Sequence, residues 1–259
     1  FLDLFKPYLA GFSITYLSPI FFWAGEAFRG YVLKEKHSIE FQKGIASVII
    51  DRILEWTINL AIIIFGISFF LLMAGLPPKN LAIIFGGTIL FLIIGVFFFY
   101  FKIFKRESMV KIFLKLFGFK TKNYPNCILE VEKEIFNFFR HSPRSVFIAF
   151  ALSFLKVGAM YFRAWFLILF LGKGVSGLSV LAILGFSYLA LMLPIPAALG
   201  SHEALQIFAF NSLGFGVSAA TAFTMVIRGA ELLMALTGLI ILFRLGLGLL
   251  ISRLTQNNA

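Results

Sequence analysis

The sequence predicts an all-α polytopic membrane protein, arranged as an inverted repeat with a broken or re-entrant helix in each copy. Three observations predict it. Of the 259 residues, 60% are hydrophobic and 14% are charged, whereas soluble domains are about half apolar and about a quarter charged. Apolar runs long enough to cross a bilayer recur along the chain, and they lack the alternation of barrel strands. A pattern of proline, glutamate, arginine and glutamate occurs twice at nearly equal spacing.

The first segment, about 8–24, is apolar but runs into Pro19, Gly25 and Glu26. Continuous spans are expected at 45–74, 80–101, 145–171 and 217–250. A second weak segment, 178–199, ends in Pro194 and Pro196, followed by Gly200 and Glu203. Proline removes a backbone donor and stops a helix. Backbone freed in this way at membrane depth is tolerated only where protein buries it or a cavity receives it. Both weak segments therefore read as broken or re-entrant, with Gly25 and Gly200 as permissive turn residues. Ser201 is the candidate cap of a new helix, with Glu203 in its first turn. The start at Phe1, without Met, predicts that a helix precedes the chain. No signal peptide is marked. A single transmembrane domain over 1–259 is expected, with repeat 1 about 8–74 and repeat 2 about 178–250.

The net charge of +11 concentrates in loops, which argues for membrane orientation rather than nucleic acid. The loop 102–144 carries Lys102, Lys105, Arg106, Lys111, Lys115, Lys120, Lys122, Lys133, Arg140 and Arg144, against Glu107, Glu130, Glu132 and Glu134. This bias places the loop on the cytoplasmic side of the cell membrane. Arg244 and Arg253 favour a cytoplasmic C-terminus. Apolar spacings of three and four over 110–119 and 128–139 predict helices suited to the interface. The loop either only orients the protein or also binds anionic lipid.

The repeat is specific in spacing. Seven residues separate Pro19 from Glu26, and seven separate Pro196 from Glu203. Arg52 follows Glu26 by 26 residues, and Arg228 follows Glu203 by 25. Each arginine has a glutamate three positions on, Glu55 and Glu231. Three full spans between the copies would invert one relative to the other, an arrangement used by transporters whose broken helices meet at the midplane.

A charge at the centre of a membrane helix costs about 2.5–3.5 kcal/mol on insertion scales, so each one retained there needs a partner or a watery cavity. Arg228 and Glu231 share a helix face and can pair. They serve either as substrate or gating charges or as a structural ion pair. Lys156 and Arg163 lie seven apart on one face, and two cations there call for an anionic ligand or for carboxylates such as Glu203 or Glu231. Arg52, with Asp51 and Glu55, either reaches the headgroups or takes part in a site. Glu26 and Arg29 face a vestibule or decorate an interfacial helix. Glu203 has a capping alternative, and His202 reads as a satisfied polar residue. Asn59, Ser201 and Asn211 are candidates for helix–helix hydrogen bonding.

His37, His141 and His202 stand apart, and Cys127 is single, so no metal-ligand spacing and no internal disulfide emerge. No phosphate-binding loop or dinucleotide fingerprint occurs. No catalytic residue, metal or cofactor is assigned.

At these positions the chain resembles the lysylphosphatidylglycerol synthase transmembrane region, or flippase-like, family, which includes the membrane half of the multiple peptide resistance factor. Pro19, Gly25, Glu26, Arg29, Asp51 and Arg52 resemble its first block. Pro194, Pro196, Leu199, Gly200, Glu203 and Arg228 resemble its second, a P-x-P-G-G-L-G-x-x-E motif followed by a helix with a central arginine. Ala197 and Ala198 stand where the family often has glycines. The resemblance covers nearly the whole chain and implies lipid translocation. The family's best-known members add a soluble aminoacyl-transfer domain, so lysyl transfer is not implied for these 259 residues.

The leading expectation is a flippase or transporter that moves an anionic, aminoacylated or polyprenyl-phosphate-linked lipid between leaflets, and not an enzyme. Its expected substrate-contacting residues are Glu26, Arg29, Arg52, Lys156, Arg163, Glu203, Arg228 and Glu231. Its expected helix breaks involve Pro19, Gly25, Pro194, Pro196 and Gly200. The rivals are a membrane-embedded headgroup transferase and a non-catalytic partner of an envelope-lipid enzyme. Expected partners are the lipid itself and either a second copy or such an enzyme, with no nucleic acid.

Overall fold

The computed structural model describes residues 2–17, 24–37, 39–77, 79–105, 107–108, 126–192 and 200–257. Among them there are nine helices and no strand. They are α1 (Leu2–Leu17), α2 (Ala24–His37), α3 (Phe41–Ala74), α4 (Lys79–Lys105), α5 (Asn126–His141), α6 (Pro143–Phe170), α7 (Gly177–Met192), α8 (Ser201–Ser212) and α9 (Val217–Asn257).

Four helices are long and apolar enough to cross a membrane: α3 with 34 residues, α4 with 27, α6 with 28, and the Val217–Gly246 part of α9 with 30. About 20 residues suffice for a bilayer core. These four match the spans expected from the sequence to within a turn or two. The helices flanking the two proline breaks are different. The α1 and α7 helices have 16 residues each, about 24 Å at 1.5 Å per residue, short of a core about 30 Å thick. Pro19, Pro194 and Pro196 themselves lie outside the described residues, as does the helix expected at 110–119. The same order of two short helices and one long apolar helix therefore occurs twice, as α1–α2–α3 and as α7–α8–α9.

The chain divides into two compact units: 1–48 with 225–259, and 49–224. The second has the larger core. In α7 every residue from Ser179 to Ala190 except Leu181 is buried. Its sequence is uncharged, apolar all round and rich in small residues, and such a helix belongs inside a bundle. Helix α3 approaches it at glycine: a methyl group on Gly66 would stand 2.5 Å from the Leu181 carbonyl oxygen. Small residues bring membrane helices together because lipid offers no hydrophobic drive for their association. Phe70 of α3, Phe85 of α4, Phe186 of α7 and Phe208 of α8 close the cluster, with Phe70 and Phe186 edge to face at 4.8 Å. Many other apolar side chains, Phe91, Phe97, Phe147 and Phe154 among them, point outward, as suits a lipid-facing surface.

Helix α5 matches the helix expected over 128–139. Arg140 fastens it to the end of α4: Nε donates to the Ile103 carbonyl at 3.1 Å, and Nη2 to Ile103 at 2.5 Å and Phe104 at 3.2 Å. The last carbonyls of a helix have no partner within it, and a cation suits that end of the dipole. Phe139 packs edge to face on Phe99 and Tyr100, and Ser108 hydrogen-bonds Glu132. Beyond the end of α4, the hydrogen bond from Lys102 holds the exposed Glu107 carboxyl below the usual carboxylate range.

In the first unit α1 and α2 form a tight hairpin. Gly25 is not a turn residue here. It lies in the first turn of α2, where a side chain would collide with the Gly11 carbonyl and the Thr15 hydroxyl. Helix α9 approaches α1 in the same manner, since Gly238 leaves no room between its Cα and the Leu9 carbonyl.

Candidate functional site

The charged residues singled out in the sequence fall into four places. In the second unit, Arg52 and Glu55 occupy one face of α3 because three residues return a helix to nearly the same side. Arg52 Nη1 donates to Glu55 Oε2 at 2.9 Å. The other carboxylate oxygen, Oε1, accepts from Lys156 Nζ on α6 at 2.7 Å. One carboxylate thus bridges two cations from two helices. Lys156 is the fourteenth residue of the 28 in α6, well inside the span. The Glu55 side chain is 19% exposed, against 26% for Arg52 and 37% for Lys156. Tyr188 of α7 lies close enough to feel the charges of Glu55 and Arg163. Arg163 is exposed, and no hydrogen bond joins it to another described residue. The group Arg52, Glu55, Lys156 and Arg163 sums to three positive charges against one negative.

Glu203, also in this unit, occupies a different environment. The N-cap of α8 is Gly200, at φ +80°, and Ser201 is the first helical residue rather than the cap. Only glycine reaches that φ without strain. Glu203 Oε2 accepts the Gly200 backbone N–H at 2.7 Å, satisfying a donor that the helix start leaves free. The capping alternative for Glu203 is thus realised in the structure.

The first unit holds the other two places. Glu26 is 7% exposed on α2, and one turn on, the Arg29 guanidinium lies over the Tyr8 ring of α1 at 5.0 Å, a cation–π contact. On α9, Arg228 Nη1 donates to Glu231 Oε2 at 3.3 Å. The two arginine–glutamate pairs of the repeat thus form the same within-helix bond, tighter in α3 than in α9.

Sequence reasoning missed two features. Glu55 entered only as the partner of Arg52, and its bridge to Lys156, 101 residues away, leaves no local signal. Gln206 was not singled out. It is fully buried in α8, and its Nε2 donates to Ser187 Oγ at 2.7 Å and the Ile183 carbonyl at 3.2 Å on α7. An amide on the buried face of a short apolar helix was the available signal. No group of three or more metal-ligating side chains occurs among the described residues.

Against known proteins, the family model described as the lysylphosphatidylglycerol synthase TM region matches residues 1–238. The UPF0104 membrane protein MJ1595 of Methanocaldococcus jannaschii is 26% identical over 238 residues, covering 88% of this chain and 70% of that protein. No solved structure matches.

Proposed function

The chain belongs to the lysylphosphatidylglycerol synthase transmembrane-region family, and from that premise we propose that it is a transporter moving an anionic membrane lipid between leaflets. The observation that carries this reading is the Arg52–Glu55–Lys156 bridge. Two cations inside a membrane protein share one carboxylate, with Arg163 on the same face of α6 as Lys156. The excess of positive charge in that group attracts a phosphodiester, and a planar guanidinium can hold two of its oxygens. The group has no nucleophile set beside an activating base, which favours binding and movement over bond-making.

In this reading the two short-helix hairpins are broken elements of an inverted repeat, an arrangement by which transporters expose a site to each face in turn. Glu26, Arg29, Arg228 and Glu231 are further candidate lipid contacts. Glu203 holds the second hairpin's geometry through Gly200. The protein sits in the cell membrane, with the basic loop 102–144 and the C-terminus on the cytoplasmic side.

Leaflet-resolved scrambling of fluorescent phosphatidylglycerol and phosphatidylcholine in proteoliposomes tests this. The wild type should move the anionic lipid faster, and Arg52→Ala and Lys156→Ala should each lower that rate at least tenfold. Equal rates for all three folded proteins would remove the bridge from the transport path. A lipid product of altered mass would favour the headgroup transferase.

A further inference from the structure

We propose that Glu55 is the resting counter-ion of an anion site formed by Arg52 and Lys156, and that a phosphate group binds there by displacing the Glu55 carboxylate, which takes up a proton in exchange. This rests on the anionic-lipid reading above and deepens it by naming the residue that couples binding to protons.

The geometry is that of an internal ligand. Each carboxylate oxygen of Glu55 is used on a different cation, Oε2 on Arg52 and Oε1 on Lys156. A phosphodiester offers two non-bridging oxygens in a similar spread and competes for the same two donors. Because Arg52 and Glu55 belong to one helix while Lys156 comes from another, displacement breaks a cross-helix link and replaces it with one made by the ligand.

Exchange then determines the charge on Glu55. Once its cations are engaged by phosphate, an ionised carboxylate would face a second anion in a largely desolvated place, which disfavours the charged form. The groups around Glu55 are of both signs. Asp51, one turn earlier on α3, is a further acidic residue on that face of the helix. On α6 the cations are Lys156 and the exposed Arg163. On α7 the nearby group is the Tyr188 hydroxyl. On α4, Tyr100 is engaged with Thr57 at 3.1 Å. A proton on Glu55 leaves one phosphate against the two cations, so the exchange swaps one anion for another and keeps the net charge that the group has with Glu55 bridging it.

The test is calorimetric titration of the full chain in detergent micelles. The probes are a short-chain phosphatidylglycerol and, separately, inorganic phosphate, each run in two buffers of different ionisation enthalpy. For the wild type the expected result is net proton uptake per bound phosphatidylglycerol, with affinity rising several-fold from pH 8 to pH 6. Glu55→Gln should bind at least fivefold more tightly at pH 8, with no proton uptake. Glu55→Asp keeps a carboxylate and should retain the uptake. The wild-type measurement needs no variant, so a Glu55→Gln protein that fails to fold leaves the test intact. Binding that requires Arg52 and Lys156 but takes up no proton would overturn this inference and leave the transporter reading standing. Weaker binding by folded Glu55→Gln would overturn it too. Phosphate binding with uptake, without phosphatidylglycerol binding, would support the exchange site and count against the lipid reading. Binding of neither probe would overturn both.

Discussion

Lys156 and Glu55 meet across 101 residues of sequence, and their contact is the most consequential single bond in the described site. Its strength lies between the value for exposed pairs, about 0.2–1 kcal/mol, and the 3–5 kcal/mol lost when a buried pair is broken. With side chains about a fifth to a third exposed, Lys156→Met should cost about 1–3 kcal/mol, measured by unfolding in mixed micelles. Adding Glu55→Gln should recover at least about 0.5 kcal/mol, because contacting residues couple. The longer Arg228–Glu231 bond, at 3.3 Å, predicts a loss below about 1 kcal/mol for Glu231→Gln. Both arginine–glutamate pairs were legible in the sequence, since a spacing of three defines a helix face. The lysine was not, because nothing local to residue 55 reports on residue 156. Glu203 was legible as a choice between a transport charge and a helix cap, and the bond to Gly200 shows the cap. Glu203→Ala should therefore cost about 1 kcal/mol of stability, while Glu203→Gln, which keeps an acceptor, should cost less.

At the scale of elements, apolar length identified the four long helices, because a span needs a minimum number of residues and few other structures use so many. Their ends extend past the expected bounds where polar residues continue the helix, as from Phe41 to Gly44 at the start of α3. Helix α5 was legible from its three-and-four spacing, but its fastening by Arg140 was not, because the acceptors belong to α4. Arg140→Ala should speed amide exchange across α5 and the last turn of α4 by about fivefold, for a loss of about 1 kcal/mol. Unchanged exchange would mean that the aromatic contacts of Phe139 hold the helix alone. The burial of α7 was less legible: a helix apolar on every side suits lipid as well as a protein core. What decides it is the closeness of Gly66 to the Leu181 carbonyl. Gly66→Ala should be destabilising by about 1–3 kcal/mol, the range for overpacked cores.

For the molecule as a whole, each compact unit combines helices from both copies of the repeat. The first unit joins α1, α2 and the start of α3 to most of α9. The second joins the rest of α3 and α4 to α5 through α8 and the start of α9. The hairpin of one copy is thus built against the long helix of the other, at Gly238 for α1 and at Gly66 for α7. The repeated motif offers no hint of this exchange, because spacing along a chain does not say which copy packs on which. Neither 1–105 nor 126–259 contains a complete unit. Expressed separately, the two pieces should be degraded. Expressed together, they should copurify from detergent, and Gly238→Leu should lower that recovery while the contacts of the second unit still hold the pieces together.

The close seat of α9 on α1 also has a consequence in time. The ribosome makes the Leu9 carbonyl about 230 residues before Gly238. At about 5–20 residues per second, roughly 10–45 seconds of synthesis separate the two surfaces. Throughout that interval the first hairpin, with its Glu26 and Arg29, has no α9 to rest against. Until α9 is made, the hairpin is expected to be open to attack. Ribosome-arrested chains ending before residue 225 should therefore be cut by protease in this hairpin, and chains released at full length should resist.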